Sequence, residues 1–142
     1  MHRYRWLVGA ALIVAAGIYL HRTEAQGDKN VTTRVFEMRT YYAHPGKMKD
    51  LHARFRDHTC KLFEKHGITN IGYWSPTDPK LAEEKMVYIL AYPSKAAAEK
   101  SWKEFGNDPD WKKAREASEV NGKLVAKVES VYLNPTDYSP IK

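Results

Sequence analysis

The chain has 142 residues, 43% of them hydrophobic and 28% charged, enough for one globular domain with a single core and too few for two. Its formal net charge is +6, yet the lysines and arginines are scattered among acids with no basic block, which argues against nucleic acid as a partner. Cys60 is the sole cysteine, so no intrachain disulfide is available and the fold must hold by packing.

The chain opens with basic residues 1–5 (MHRYR), an apolar run at 6–20 (WLVGAALIVAAGIYL) and a polar stretch at 21–27 (HRTEAQG). This is the layout of a secretory signal peptide, with cleavage expected after Ala25. The alternative is an uncleaved N-terminal membrane anchor, because the run is only slightly shorter than the about 17 residues that span a bilayer. Either way the remainder is expected outside the cytoplasm, periplasmic or secreted. Without residues 1–25 the chain keeps 20 basic and 16 acidic residues, a net charge of +4. Residues 26–33, QGDKNVTT, read as a linker, leaving 34–138 as the domain.

Residues 34–42 alternate as a strand, stopped by His44-Pro45-Gly46, and a helix follows over 47–66 up to Gly67. At about 100° per residue, Met48, Leu51, Phe55, His58 and Leu62 fall on one stripe, with Cys60 opposite it. A strand at 68–74, a turn-rich SPTDPK at 75–80 and a strand at 85–92 read as a hairpin. Ser94 caps a helix over 95–105, Gly106 interrupts it, and Asp108-Pro109 restarts it as cap and first-turn proline. Asn121-Gly122 ends that piece, and 124–133 form the last strand.

The order βαββαβ predicts a ferredoxin-like α+β sandwich, a four-stranded antiparallel sheet with two helices on one face. If the more apolar side of each strand meets the helices, the uncovered face carries Val35, Glu37, Arg39, Tyr41, Asn70, Gly72, Trp74, Met86, Tyr88, Leu90, Lys127, Glu129 and Val131. An aromatic surface of that size is expected to pair with a second copy, so a homodimer is predicted.

The runs VFEMRTYYAHPGKM, LHARFRDHTCKLFEKHGITNIGYW, MVYILAYPS, SWKEFGNDPDW and KVESVYL resemble the NIPSNAP family in order and spacing, through Glu-x-Arg-x-Tyr, Pro-Gly-Lys and Gly-x-Trp. The resemblance covers about residues 34–138. It implies a dimeric α/β barrel, in which two ferredoxin-like units pair their sheets. That fold class includes cofactor-free monooxygenases, haem-degrading enzymes and simple ligand binders, so it does not choose a function. The family is linked to vesicle traffic and to mitochondrial roles in animals. Export departs from mitochondrial import, and those cellular roles are not carried over.

Glu37, Arg39, Tyr41, Tyr88 and Glu129 would form a polar ring inside such a barrel, with Trp74 completing the candidate ligand-binding set. One reading is an ion network that fixes dimer register, since buried charges persist when paired. The other is a pocket for a small polar or aromatic ligand, in which Arg39 binds an anion and Glu37 or Glu129 moves protons. His58 on an apolar stripe is either a satisfied core group or, in a cleft between helix and sheet, a base or ligand. His44, His52, His58 and His66 make no i, i+4 pair and there is no Cys-x-x-Cys, so no metal site is expected; no cofactor is expected either. Gly-x-Gly-x-x-Gly, P-loop and Gly-x-Ser-x-Gly motifs are absent.

The sequence therefore points to an exported homodimer that binds a small molecule or a partner. The second reading is a cofactor-independent monooxygenase acting on an aromatic substrate, with His58, Arg39 and Tyr88 or Tyr41 as acid/base and orienting groups. The third is a scaffold dimer.

Overall fold

A computed structural model describes residues 34–142; the signal or anchor at 1–25 and the linker at 26–33 lie outside the described residues. Strand β1 (Val35–Ala43) is followed by α1 (Met48–Arg54), a π-helical turn (Phe55–Thr59) and α2 (Cys60–Lys65), which together make one continuous rod. Then come β2 (Thr69–Trp74), a short α3 (Pro79–Glu84), β3 (Lys85–Tyr92), α4 (Lys95–Asn107), α5 (Pro109–Ser118) and β4 (Val125–Leu133). The strands form one antiparallel sheet in the order β2-β3-β1-β4, as the ferredoxin-like reading requires. Among the described residues no helix is long and apolar enough to cross a membrane.

Local chemistry accounts for the helix ends. The Ser94 hydroxyl accepts from the Ala97 amide at 3.1 Å, and the Asp108 carboxylate accepts from Asp110 at 2.7 Å and Trp111 at 3.3 Å. Gly67, with φ at +72°, closes the first rod in a backbone conformation that side chains resist. Helix α3 begins inside the turn-rich 75–80 stretch and is an element that the predicted βαββαβ order does not include. Asp78-Pro79 starts it as Asp108-Pro109 starts α5, with Asp78 accepting from the Leu81 amide.

The rod departs from a plain helix in its middle. A π turn takes about one residue more per revolution than an α-helix, so the apolar stripe slips round by a position. Thr59, not His58, lies buried below Phe55, and Leu62 and Phe63 continue the buried face. His58 is exposed, which overturns its predicted place on the core stripe. The same slip carries Cys60 to the half-buried edge of the core, against the expectation that it points away.

The assignment of sheet faces also needs correction. Met86, Tyr88, Leu90, Glu37 and Tyr41 face the helices, where Phe55, Phe63 and Trp102 cover them. Opposite pairs in an antiparallel ladder share a face. Thr40 pairs with Glu129, Met38 with Val131 and Phe36 with Leu133, so Glu129 lies on the uncovered face, away from Glu37. Trp74 pairs with Val87 on that same uncovered face. An irregularity at Ile71, between Asn70 and Gly72, breaks the alternation of β2 and leaves Asn70 under the helices. There its amide donates to the Cys60 carbonyl at 3.0 Å and accepts from the Tyr73 hydroxyl at 2.5 Å. Choosing the more apolar side fails in β1 because its charged side is internally neutralised and enclosed by aromatic rings.

Candidate functional site

The buried polar cluster starts from Glu37, whose side chain is 1% exposed. One carboxylate oxygen accepts from Arg39 Nη1 and Ser130 Oγ, both at 2.5 Å. The other accepts from Tyr92 Oη at 2.7 Å and Trp102 Nε1 at 2.8 Å. Strand alternation places Glu37 and Arg39 side by side, β4 supplies Ser130, β3 supplies Tyr92, and α4 lowers Trp102 from above. Burial pushes the Glu37 carboxyl upward, but the Ser130 and Tyr92 hydrogen bonds, the Arg39 charge and Trp102 outweigh it and hold it below its ordinary range. Glu37 is thus a fully satisfied anion, poorly suited to act as a base.

Arg39 is less completely used. Its guanidinium lies 4.3 Å from the Trp102 ring centre and 5.6 Å from that of Tyr41. Burial opposes its charge, but its polar neighbours, Glu37 with both its charge and its hydrogen bond among them, hold its pKa above the usual value. Only Nη1 is engaged; Nε is buried without a partner among the described residues.

Tyr88 is directly opposite Arg39 in the β1–β3 ladder. It is fully buried at the centre of an aromatic cluster, with ring centres of Tyr41 and Phe55 at 5.2 Å and of Tyr73 at 5.3 Å. Burial, then Tyr41, push its phenol well above the normal range, so it stays a neutral O–H donor. Its oxygen also lacks a partner among the described residues. A buried hydroxyl normally finds one, so Arg39 Nε and Tyr88 Oη stand as two unsatisfied donors on neighbouring strands.

The structure brings together Glu37, Arg39, Tyr41 and Tyr88 of the predicted set, and adds Ser130, Tyr92 and Trp102. It places Trp74 and Glu129 elsewhere. Glu129 pairs with Lys127 and accepts from Tyr42 Oη at 3.1 Å on the other side of the sheet. Trp74 is half exposed, its ring lying over Gly72 where any Cβ would meet it at 2.6 Å. His58 lines a groove against α5 and shares no pocket with Arg39 or Tyr88. Within one chain, then, His58 lies apart from Arg39 and Tyr88. Ser130 escaped sequence reading because nothing local marks it, and helical spacing put Trp102 on the inner side of α4 without pairing it to Glu37; Tyr92 carried a weak signal, lying on the same side of β3 as Tyr88.

By its fold, a βαββαβ domain with helices on one side of an antiparallel sheet and an uncovered opposite face falls in the dimeric α/β-barrel class. The sequence profile of the NIPSNAP family matches residues 36–140, and the chain belongs to that family. Solved structures agree at the level of fold. A NIPSNAP family protein from Agrobacterium tumefaciens superimposes with a TM-score of 0.67 at 19% identity, covering 79% of this chain and 96% of that one. A second from the same organism gives 0.66 at 22% identity over 77% and 99%. An uncharacterized NIPSNAP domain protein from Burkholderia xenovorans gives 0.62 at 23% identity over 75% and 98%. No curated protein matches the sequence.

Proposed function

We propose that this NIPSNAP domain is an exported, homodimeric binding module whose ligand is a small molecule carrying a carboxylate or similar oxyanion. The observation that carries the ligand reading is the Arg39–Tyr88 pair, two neighbouring donors in a buried aromatic setting with no acceptor of their own among the described residues. A carboxylate reaching them would accept from Arg39 Nε and Tyr88 Oη, while Glu37 holds the guanidinium in place from its other side. Ser130, on edge strand β4, is the member of the cluster exposed to solvent.

The dimer reading is supported by the uncovered face, which shows Val131, Leu133 and Trp74 to solvent at 44%, 39% and 51%. Pairing two such faces would remove that surface from water. Export is supported by the N-terminal charge and hydropathy pattern. Native mass spectrometry of the chain purified from its expressing host tests both main points. The expected result is a dimer with an added small mass that Tyr88→Phe removes without dissociating the dimer. An empty wild-type dimer, or a mass retained by Tyr88→Phe, overturns the ligand reading; a monomer overturns the dimer.

A further inference from the structure

We infer that the groove between the first helical rod and α5 is a second binding site, fitted to a small zwitterion with a carboxylate and an ammonium group, as in a free α-amino acid. The groove is open to solvent, offers about 360 Å³ and has Arg54 and Ser118 in its lining. Ala53, Ala114 and Ala117 supply its walls, and such short side chains are what leave the space open.

Arg54 is 5% exposed and lies 5.2 Å over the Trp111 ring. Its Nη1 donates to Glu119 Oε1 at 3.0 Å and to Ser118 Oγ at 3.3 Å. Its Nε is buried without a partner among the described residues, and Nη2 makes no hydrogen bond to them. The Nε–Nη2 edge is the side of a guanidinium that matches the two oxygens of a carboxylate. Glu119 is already held by Nη1 and by Arg115 at 3.4 Å.

A simple anion meets an obstacle at the rim. Asp50 and Asp57 line the same groove, are exposed, and form no ion pair among the described residues. Their field repels an isolated carboxylate and attracts an ammonium. A ligand with its carboxylate at Arg54 and its ammonium toward Asp57 meets an opposite charge at each end.

The π turn explains how the rim comes to be there. Continuing the α-helical stripe would aim His58 at the sheet; the slip at Phe55–Thr59 turns it outward, into the lining it shares with Asp57. The Thr59 hydroxyl donates to the Arg54 carbonyl at 3.2 Å, anchoring the distortion beside the arginine. Such insertions often occur where a helix serves a site.

The test is a two-dimensional amide NMR titration of the purified chain with L-leucine, using 4-methylpentanoate and isoamylamine as ligands that each lack one charged group. Leucine at millimolar concentration should shift the amides of His58, Ala117 and Ser118, and each single-charge ligand should bind at least about fivefold more weakly. Asp57→Asn, at an exposed position, should weaken leucine while leaving 4-methylpentanoate no weaker. Ala117→Leu, also exposed, should fill the groove and abolish the shifts while the far-ultraviolet circular dichroism is retained. Absence of leucine shifts at these amides, equal affinity for all three ligands, or indifference to Asp57→Asn or to Ala117→Leu overturns the proposal.

Discussion

Replacing Glu37 by glutamine removes one charge from the most enclosed polar group of the sheet while keeping its shape. The four donors around the carboxylate respond unequally. Ser130 and Tyr92 hydroxyls can turn and accept, but Arg39 Nη1 and Trp102 Nε1 only donate, and an amide offers one oxygen to the pair. One of them therefore faces the new N–H₂ group, and Arg39 loses its counter-charge. Breaking a buried ion pair from one side costs about 3–5 kcal/mol, applied without a solvent discount because Glu37 is 1% exposed. For a domain of this size that lowers Tm by roughly 10–20 °C. The pH dependence gives a second check. The folded-state carboxyl lies below its ordinary value, so its contribution is present above the unfolded pKa of about 4.3 and is lost as pH falls through the folded value. Thermal unfolding followed by circular dichroism should show the gap between the two proteins widest above about pH 5 and narrowing in acid. A Glu37→Gln protein melting within about 2 °C of the parent at neutral pH, or a gap that ignores pH, would refute the argument.

Three other outcomes follow from the same geometry. Val131→Lys on the uncovered face should convert the proposed dimer to a folded monomer in sedimentation velocity, and an unchanged dimer would place the interface elsewhere. Gly72→Ala drives a Cβ into the Trp74 ring at 2.6 Å, and because that ring is half exposed it is expected to swing away, shifting tryptophan fluorescence with little change in urea unfolding; an unchanged spectrum would contradict it. Asp108 accepts from Lys65 at 2.8 Å and His66 at 2.6 Å and caps α5; these hydrogen bonds hold its carboxyl well below the usual range despite burial. Its contribution is present above the ordinary carboxylate pKa and is lost only as pH falls through the depressed folded value, so Asp108→Asn should melt lower at neutral pH with the difference closing only in strong acid.

The sequence by itself determined the element order, the family and most helix starts. Serine and aspartate caps, first-turn prolines and glycine stops act within a few residues, so Ser94, Asp108-Pro109 and Gly67 could be read locally, and Asp78-Pro79 carried the same signal. Alternation along β1 and β3 correctly grouped Glu37, Arg39 and Tyr41, and Met86, Tyr88 and Leu90. Which of its two sides each strand turns toward the helices was settled only by tertiary contacts. Glu37 is buried because Trp102 and Ser130, 65 and 93 residues away in sequence, satisfy it, and no local pattern encodes partners at that distance. The π turn that exposed His58 and the irregularity at Ile71 that separated Trp74 from Asn70 likewise each shift a periodicity by one residue. A phase error of one residue is invisible to composition, yet it moves a side chain from one face to the other, and so the membership of both candidate sites was decided by packing in three dimensions.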